Sequence, residues 1–106
     1  MSTQELLTVT TTRYSEFFRR LLERYSTDAH VRIDGKVTPS SEFSTLVKSW
    51  CMNKVIMRTR DFVLYRGKEE LCGFHDTPRE MWASPAILPF LRDLEREKVI
   101  RLSVGR

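Results

Sequence analysis

The stretch that decides the fold is KVIMRTRDFVLYRGKEELCGFHD, which runs from Lys54 to Asp76. Its second apolar run, Phe62–Tyr65, is rich in residues that suit a pleated, half-buried surface. Gly67 follows that run and supplies the positive φ that a tight turn needs. We therefore predict a hairpin of Phe62–Arg66 against Glu70–Phe74. Because a two-stranded hairpin is marginal in water, this platform must gain further strands or pack on helices.

Three other segments have the pattern of amphipathic helices. In the first two, apolar side chains recur at i, i+3, i+4, i+7 and i+8, and in the third Ile87, Leu88, Leu91 and Leu94 are expected to point inward. In the second of them, Thr38 is placed to cap the helix and Pro39 to occupy its first turn. In the third, Pro89 predicts a distorted first turn or a regular helix that begins only there. The predicted helices cover 13–25, 38–53 and 84–98.

Two further β segments are indicated outside the platform. Asp34-Gly35 lies between Val31–Ile33 and Lys36–Thr38, which is a two-residue hairpin signal, although arms this short fit a strand and a loop equally well. Val99–Val104 alternates between apolar and polar side chains, which predicts a terminal strand. We expect that strand to dock on the platform.

The two remaining segments are interpreted from local signals. Residues 1–12 combine a capping-box pattern with a threonine-rich run that favours extension, so we expect a loose lead-in. After the platform, Asp76 or Thr77 can cap a short helix with Pro78 near its start.

Since helices and strands do not alternate as βαβ units, the chain is predicted to be α+β. We expect one small domain over 1–106, with an antiparallel or mixed sheet built on a central hairpin and about three helices packed on it. The apolar stripes predict the core. Its expected members are Phe18, Leu22, Phe43, Val47, Trp50, Leu64, Leu91 and Leu94.

Composition limits the class of protein. Hydrophobic residues make up 41% and charged residues 30% of the 106 positions, as in an ordinary folded domain. No apolar run approaches the roughly 20 residues of a membrane span, and the N-terminus lacks the pattern of a secretory signal. Cys51 and Cys72 lie in apolar contexts, which indicates buried, reduced thiols in a cytoplasmic protein, although sequence alone leaves a disulfide between them open.

The cluster Cys72-Gly73-Phe74-His75-Asp76 places a thiol, an imidazole and a carboxylate close together. On a strand, however, neighbouring side chains point to opposite faces, which argues against a nucleophile and its base. Cys72 and His75 are also only half of a zinc ligand set. We therefore predict no catalytic residues, no metal and no cofactor, and interpret the cluster as a buried thiol, a strand-end histidine and a helix cap.

Basic side chains interleaved with aromatic rings on the platform form the one candidate binding site. Such a surface can hold phosphates and stack bases, or it can be a solvated sheet edge protected by its charges. The net charge is only +4, and acidic neighbours weaken a continuous positive field. The candidate residues are Lys54, Arg58, Arg60, Tyr65, Arg66 and Lys68.

From these patterns we expect a non-enzymatic domain that binds another protein and regulates or inhibits it, as accessory proteins of bacterial or mobile-element genomes do. The alternative is nucleic-acid binding through the platform. A third hypothesis is a small basic RNase using His75 with Arg58 or Arg60. No membrane partner is expected, and the sequence leaves open whether the chain is a monomer or a dimer.

Overall fold

The computed structural model describes residues 6–104, which form a seven-stranded antiparallel sheet with three helices. The α+β class and the compact single sheet are as predicted, although the sheet is larger than a hairpin with helices. The strands are β1 (Leu7–Thr11), β2 (His30–Ile33), β3 (Lys36–Pro39), β4 (Asp61–Arg66), β5 (Glu69–His75), β6 (Glu80–Ala83) and β7 (Ile100–Val104). The helices are α1 (Tyr14–Arg24), α2 (Phe43–Leu46), which continues as π-helical turns over Val47–Met52, and α3 (Leu88–Arg96).

The strand order is β3-β2-β4-β5-β6-β1-β7, so the predicted hairpin, β4 with β5, lies near the centre of the sheet. The hairpin is confirmed, and so is the shorter one, in which β2 and β3 meet at Asp34-Gly35. The register of the central hairpin shifts once: Leu64 faces Cys72, whereas Tyr65 faces Glu70. Leu71 is therefore an extra residue, and it forms a β-bulge.

The extension expected for the threonine-rich run of 1–12 is present as β1, but its described part is not a loose lead-in. Residues 1–5, which hold the capping-box pattern, lie outside the described residues. β1 pairs with β6 on one side and β7 on the other, inside the sheet. Leu7, Val9 and Thr11 are buried and alternate with half-buried threonines. This period of two is a strand pattern, whose partners lie far along the chain.

The helix expected after Asp76 is also absent from the described structure. The Thr77 hydroxyl accepts a hydrogen bond from the Arg79 amide at 3.1 Å, so the capping chemistry is used, but in a turn. β6 follows that turn. Met81 and Ala83 are buried in this strand and pair with β1. Pairing within the sheet stabilises the strand more than the weak local preference for helix opposes it.

Two element boundaries and the pairing partner of β7 differ from the prediction. Thr38 and Pro39 belong to β3, and the second helix begins after them with a 3₁₀ turn over Ser40–Glu42 that no side chain caps. The first part of the platform, Val55–Arg58, is a 3₁₀ turn, so the β-structure of the platform is confined to the hairpin. β7 pairs with β1 and not with the platform. In α3, Ser84 caps a 3₁₀ turn, and the regular helix begins at Leu88, as the position of Pro89 predicted.

The three helices pack on one face of the sheet around Phe18. The Phe18 ring lies edge-on against Trp50, Phe62 and Phe74, with ring centroids 5.1–5.9 Å apart. All eight predicted core residues are buried. The Trp50 indole N–H donates to the Thr59 hydroxyl at 2.6 Å, so its polar atom is satisfied inside the core.

Cys51 and Cys72 are both buried and unpaired, as predicted. Burial raises the pKa of the Cys51 thiol to about 12, and burial likewise raises the pKa of Cys72. Both thiols are therefore protonated at neutral pH. No helix among residues 6–104 is long and apolar enough to cross a bilayer.

Candidate functional site

The face of the sheet opposite the helices, which we call the open face, is the candidate site. Residues directly opposite each other in an antiparallel pair share a face. Asp61 faces His75, Tyr65 faces Glu70, and Gly73 faces Trp82 in the neighbouring strand pairs. None of these side chains takes part in the helix-covered core. The centre of the open face is formed by Arg32, Asp61, Tyr65, Glu70, His75 and Trp82.

The Trp82 ring lies close to the backbone of β5 at Gly73, where no side chain stands in its way. A Cβ on Gly73 would stand 2.4 Å from the Phe62 carbonyl oxygen and 3.0 Å from the Trp82 ring, both too close. The backbones of β4 and β5 therefore approach closely at Gly73, two residues after the bulge at Leu71. Beside the indole, Val63 is only 2% exposed although it points away from the helices. Trp82 therefore forms a half-buried aromatic plate.

A second aromatic element lies on β2 and β4. The rings of His30 and Tyr65 stack with centroids 4.9 Å apart and planes within 5°. The Arg32 guanidinium lies 5.6 Å from the centre of the Tyr65 ring, a cation–π contact. A groove of about 510 Å³ on this face is lined by both Arg32 and Trp82. The groove is lined by Leu6, Arg32, Val63, Glu69, Glu70, His75, Trp82 and Ser84.

The Asp61 carboxylate contacts both His75 and Arg32 on the open face. Asp61 Oδ1 lies 2.7 Å from His75 Nδ1, and Asp61 Oδ2 lies 3.6 Å from Arg32 Nε. The Asp61 backbone is held in turn, since the Asp34 carboxylate accepts hydrogen bonds from the Arg60 and Asp61 amides at 3.0 and 2.9 Å. The side chains of Asp61, His75 and Arg32 are therefore held by one another on the open face.

The structure separates the thiol from the histidine and aspartate of the sequence cluster. Cys72 points into the core, whereas His75 is 65% exposed on the open face. Asp76 caps no helix; its amide donates to the Arg60 carbonyl at 2.6 Å. Within residues 6–104, no three His, Cys, Asp or Glu side chains are grouped to hold a metal ion.

The predicted basic residues are divided between the two ends of β4. Lys54, Arg58 and Arg60 precede the strand, and Arg66 and Lys68 end or follow it. At about 3.3 Å per residue, roughly 20 Å of strand separates Arg60 from Arg66. The structure does not bring the five cations together on one surface.

Two members of the predicted site have structural partners. Arg66 lies 5.2 Å from the centre of the Tyr25 ring, on the helix side, and 3.5 Å from the Asp28 carboxylate. Tyr65, its neighbour, points to the open face. Lys54 precedes the 3₁₀ turn with φ 62° and lines a different groove, beside Tyr14. Of the predicted residues, only Tyr65 belongs to the centre of the open face.

Sequence reasoning missed Arg32, Glu70 and above all Trp82. Trp82 was missed because its segment was predicted as a short helix, and that prediction did not decide whether Trp82 is buried or exposed. The signal that could have found it is the alternation of Glu80-Met81-Trp82-Ala83, which places Glu80 and Trp82 together on one side of a strand. No protein-family model, curated protein or solved structure matches this chain.

Proposed function

We propose that this chain is a non-enzymatic domain that binds another protein through the open face and thereby regulates or inhibits that partner. The observation that carries the proposal is the half-buried aromatic plate of Trp82 beside the groove. Tryptophan, tyrosine and arginine are the residues that most often anchor protein interfaces. Trp82, Tyr65 and Arg32 lie on three strands of one sheet, β6, β4 and β2, so little ordering would be needed on binding.

The charge of the open face favours a protein over a nucleic acid. Among the described strands, that face carries two arginines, Arg32 and Arg101, and the carboxylates of Asp61, Glu70 and Glu80. The Glu69 carboxylate also lines its groove. A surface that stacks bases needs a positive field to hold the phosphates between them. Of the predicted cations, Arg66 lies beside Tyr25 on the helix side and Lys54 lines a different groove, so neither supplies a positive field next to the open-face rings.

The geometry gives less support to an RNase. His75 is oriented by Asp61, which would leave its Nε2 free to move a proton. Arg58 and Arg60, the cations suggested for such a site, are on the segment before β4. No second acid or base pairs with His75 at hydrogen-bond distance among the described residues, apart from Asp61 itself. We therefore propose binding without catalysis. The unpaired thiols suit the cytoplasm.

The test compares charge reversal on the two sides of the sheet. Glu70→Arg with Glu80→Arg changes two exposed side chains of the open face, and Glu42→Arg is the control on the helix side. Each protein is used, after nuclease treatment, to capture partners from cells that express the wild-type chain, with quantitative mass spectrometry. We expect a protein that the wild type and the Glu42 variant retain and the open-face variant loses. Equal retention by all three proteins would contradict the assignment of the interface.

A fluorescence anisotropy titration with random DNA and RNA separates the two binding hypotheses. At about 150 mM salt, non-specific contact gives dissociation constants of about 1–100 μM, and we expect no tighter binding. If the wild type binds more tightly, replacing Arg58, Arg60 and Arg66 with Ala should flatten the slope of log K against log salt by about one unit per lost contact. That pair of results would replace the protein partner with a nucleic acid.

A further inference from the structure

Two arginines of this chain are held in the same way, each by an aromatic ring together with a carboxylate. The Arg32 guanidinium lies 5.6 Å from the centre of the Tyr65 ring and 3.6 Å from an Asp61 oxygen. Arg66 lies 5.2 Å from the centre of the Tyr25 ring and 3.5 Å from an aspartate oxygen. A planar guanidinium suits this arrangement, because it can stack on a ring while its N–H groups point to a carboxylate.

The groove on the open face also combines a ring with carboxylates, since Trp82, Glu69 and Glu70 all line it. Both glutamates are exposed, and Trp82 is partly exposed. Among the described residues, neither glutamate forms an ion pair and no cation stacks on Trp82. Arg32 also lines the groove, but its charge is matched by Asp61. The charge that complements the groove is therefore positive.

We propose that the partner bound through the open face presents an exposed arginine, whose guanidinium stacks on Trp82 and pairs with Glu69 or Glu70. This inference rests on the proposed function and adds the chemistry that the partner must have at the contact. The groove of about 510 Å³ is within the range of roughly 300–1,000 Å³ typical of small-ligand sites, so one long side chain can be accommodated.

The other residues that line the groove favour the same side chain. Leu6 and Val63 provide apolar surface, which the methylene stem of a long basic side chain can cover while its charged head stays near water. Arginine suits the groove better than lysine, because a guanidinium is flat, weakly hydrated and able to form two parallel hydrogen bonds to a carboxylate. A lysine ammonium lacks this shape.

The experiment titrates the isotope-labelled full chain with the blocked tripeptide Gly-Arg-Gly and follows binding by NMR. We expect saturable shifts of the Trp82 indole N–H and the Glu70 amide. The Trp50 indole is an internal control, because its N–H is buried and donates to Thr59 at 2.6 Å. The same peptide with citrulline keeps the shape of the side chain without its charge. It should bind about 3- to 30-fold more weakly, as the loss of one cation–π contact and one exposed ion pair predicts.

Two double variants test the carboxylates. Glu69→Gln with Glu70→Gln changes exposed side chains only, so the fold should be kept, and Gly-Arg-Gly should bind about 1.5- to 5-fold more weakly. The matched control, Glu42→Gln with Glu80→Gln, removes the same charge from exposed positions that do not line the groove and should bind as the wild type does. Equal weakening in both variants would overturn the proposal. So would equal binding of the arginine and citrulline peptides, or the absence of a saturable Trp82 shift.

These results are distinguishable from those of partner capture. A protein that only the open-face charge-reversal variant loses, combined with no preference for Gly-Arg-Gly over the citrulline peptide, would refute the arginine and leave the interface in place. Selective binding of Gly-Arg-Gly, combined with equal retention of every captured protein by all three chains, would contradict the proposed function and not the chemistry of the groove.

Discussion

The two faces of the sheet have opposite chemistry although adjacent residues of the same strands build them. On β4, Phe62 and Leu64 are fully buried beneath the helices, while Asp61 and Tyr65 on the other side keep polar partners and partial exposure. The covered face is held by burial of apolar area, which is not directional. The open face is held by specific ring stacking and ion pairs. The comparison indicates that the covered face contributes most of the stability, and the open face is where we propose that a partner binds.

The largest expected effect comes from breaking the covered face. Phe18→Ala removes the ring that contacts Trp50, Phe62 and Phe74 and should lower the free energy of unfolding by about 3–5 kcal/mol. The matched change on the open face is Tyr65→Ala, which mainly loses its stacking on His30 and should cost about 0.5–1.5 kcal/mol. Urea unfolding of the two variants measures the difference. Equal costs would mean that both faces carry the fold.

The next largest effect tests Gly73, which leaves room for the Trp82 ring on the open face. Gly73→Ala places a Cβ against the Phe62 carbonyl and the Trp82 ring, so we expect a loss of about 1–3 kcal/mol and a shift in tryptophan fluorescence. Adding Trp82→Ala in the same chain relieves only the contact with the ring. If the double variant were as stable as Trp82→Ala alone, the contact with the Phe62 carbonyl would not be the cause of the stability lost in Gly73→Ala.

A third prediction uses pH to probe the covered face. Burial raises the pKa of Cys51 to about 12, whereas in the unfolded chain the thiol ionises near 9. The buried, protonated thiol therefore contributes stability that is fully present below about pH 9 and is lost as the pH rises towards 12. Over that window the free energy of unfolding should fall by about 1.4 kcal/mol per pH unit for each such thiol.

Cys51→Ala removes one of these groups, so its stability should fall less steeply with pH than that of the wild type, as measured by urea unfolding between about pH 8 and pH 10.5. Tyrosines and lysines titrate in both proteins and cancel in the difference. At neutral pH, a disulfide reagent should label Cys51 and Cys72 only in denaturant. Parallel pH profiles, or rapid labelling of the native protein, would show that the thiols are accessible.

The smallest expected effect is on the open face. His75→Ala removes the pair with Asp61, but the imidazole is 65% exposed, so the change in stability should be within about 1 kcal/mol. The same variant leaves Asp61 free to bind Arg32 alone. Thermal unfolding at low and high salt measures the loss of the His75–Asp61 pair and the contribution of the remaining Asp61–Arg32 pair. A loss as large as that of Phe18→Ala would mean that the open-face network is structural and not a free recognition surface.

Local patterns were sufficient where neighbours in sequence decide the structure. The stripe of α1, the turn residues Asp34-Gly35 and Gly67, and Pro89 in α3 each act within a few residues, so the helices and the two hairpins could be predicted. β1 and β6 could not be assigned in this way. Their segments carry weak helix-capping signals at their starts, and the hydrogen-bond partners that make them strands lie about 70 or more residues away for β1.

The sequence by itself determined the class of the protein, the helices and the members of its core, because apolar periodicity states which side chains must leave water whatever they pack against. Only the tertiary structure decided which polar residues share a surface. It placed Trp82 over Gly73 beside Arg32 and Glu70, and it divided the predicted cations between the ends of β4. The physical reason is that strand pairing is non-local: a surface built from four strands has no trace in any single stretch of the chain.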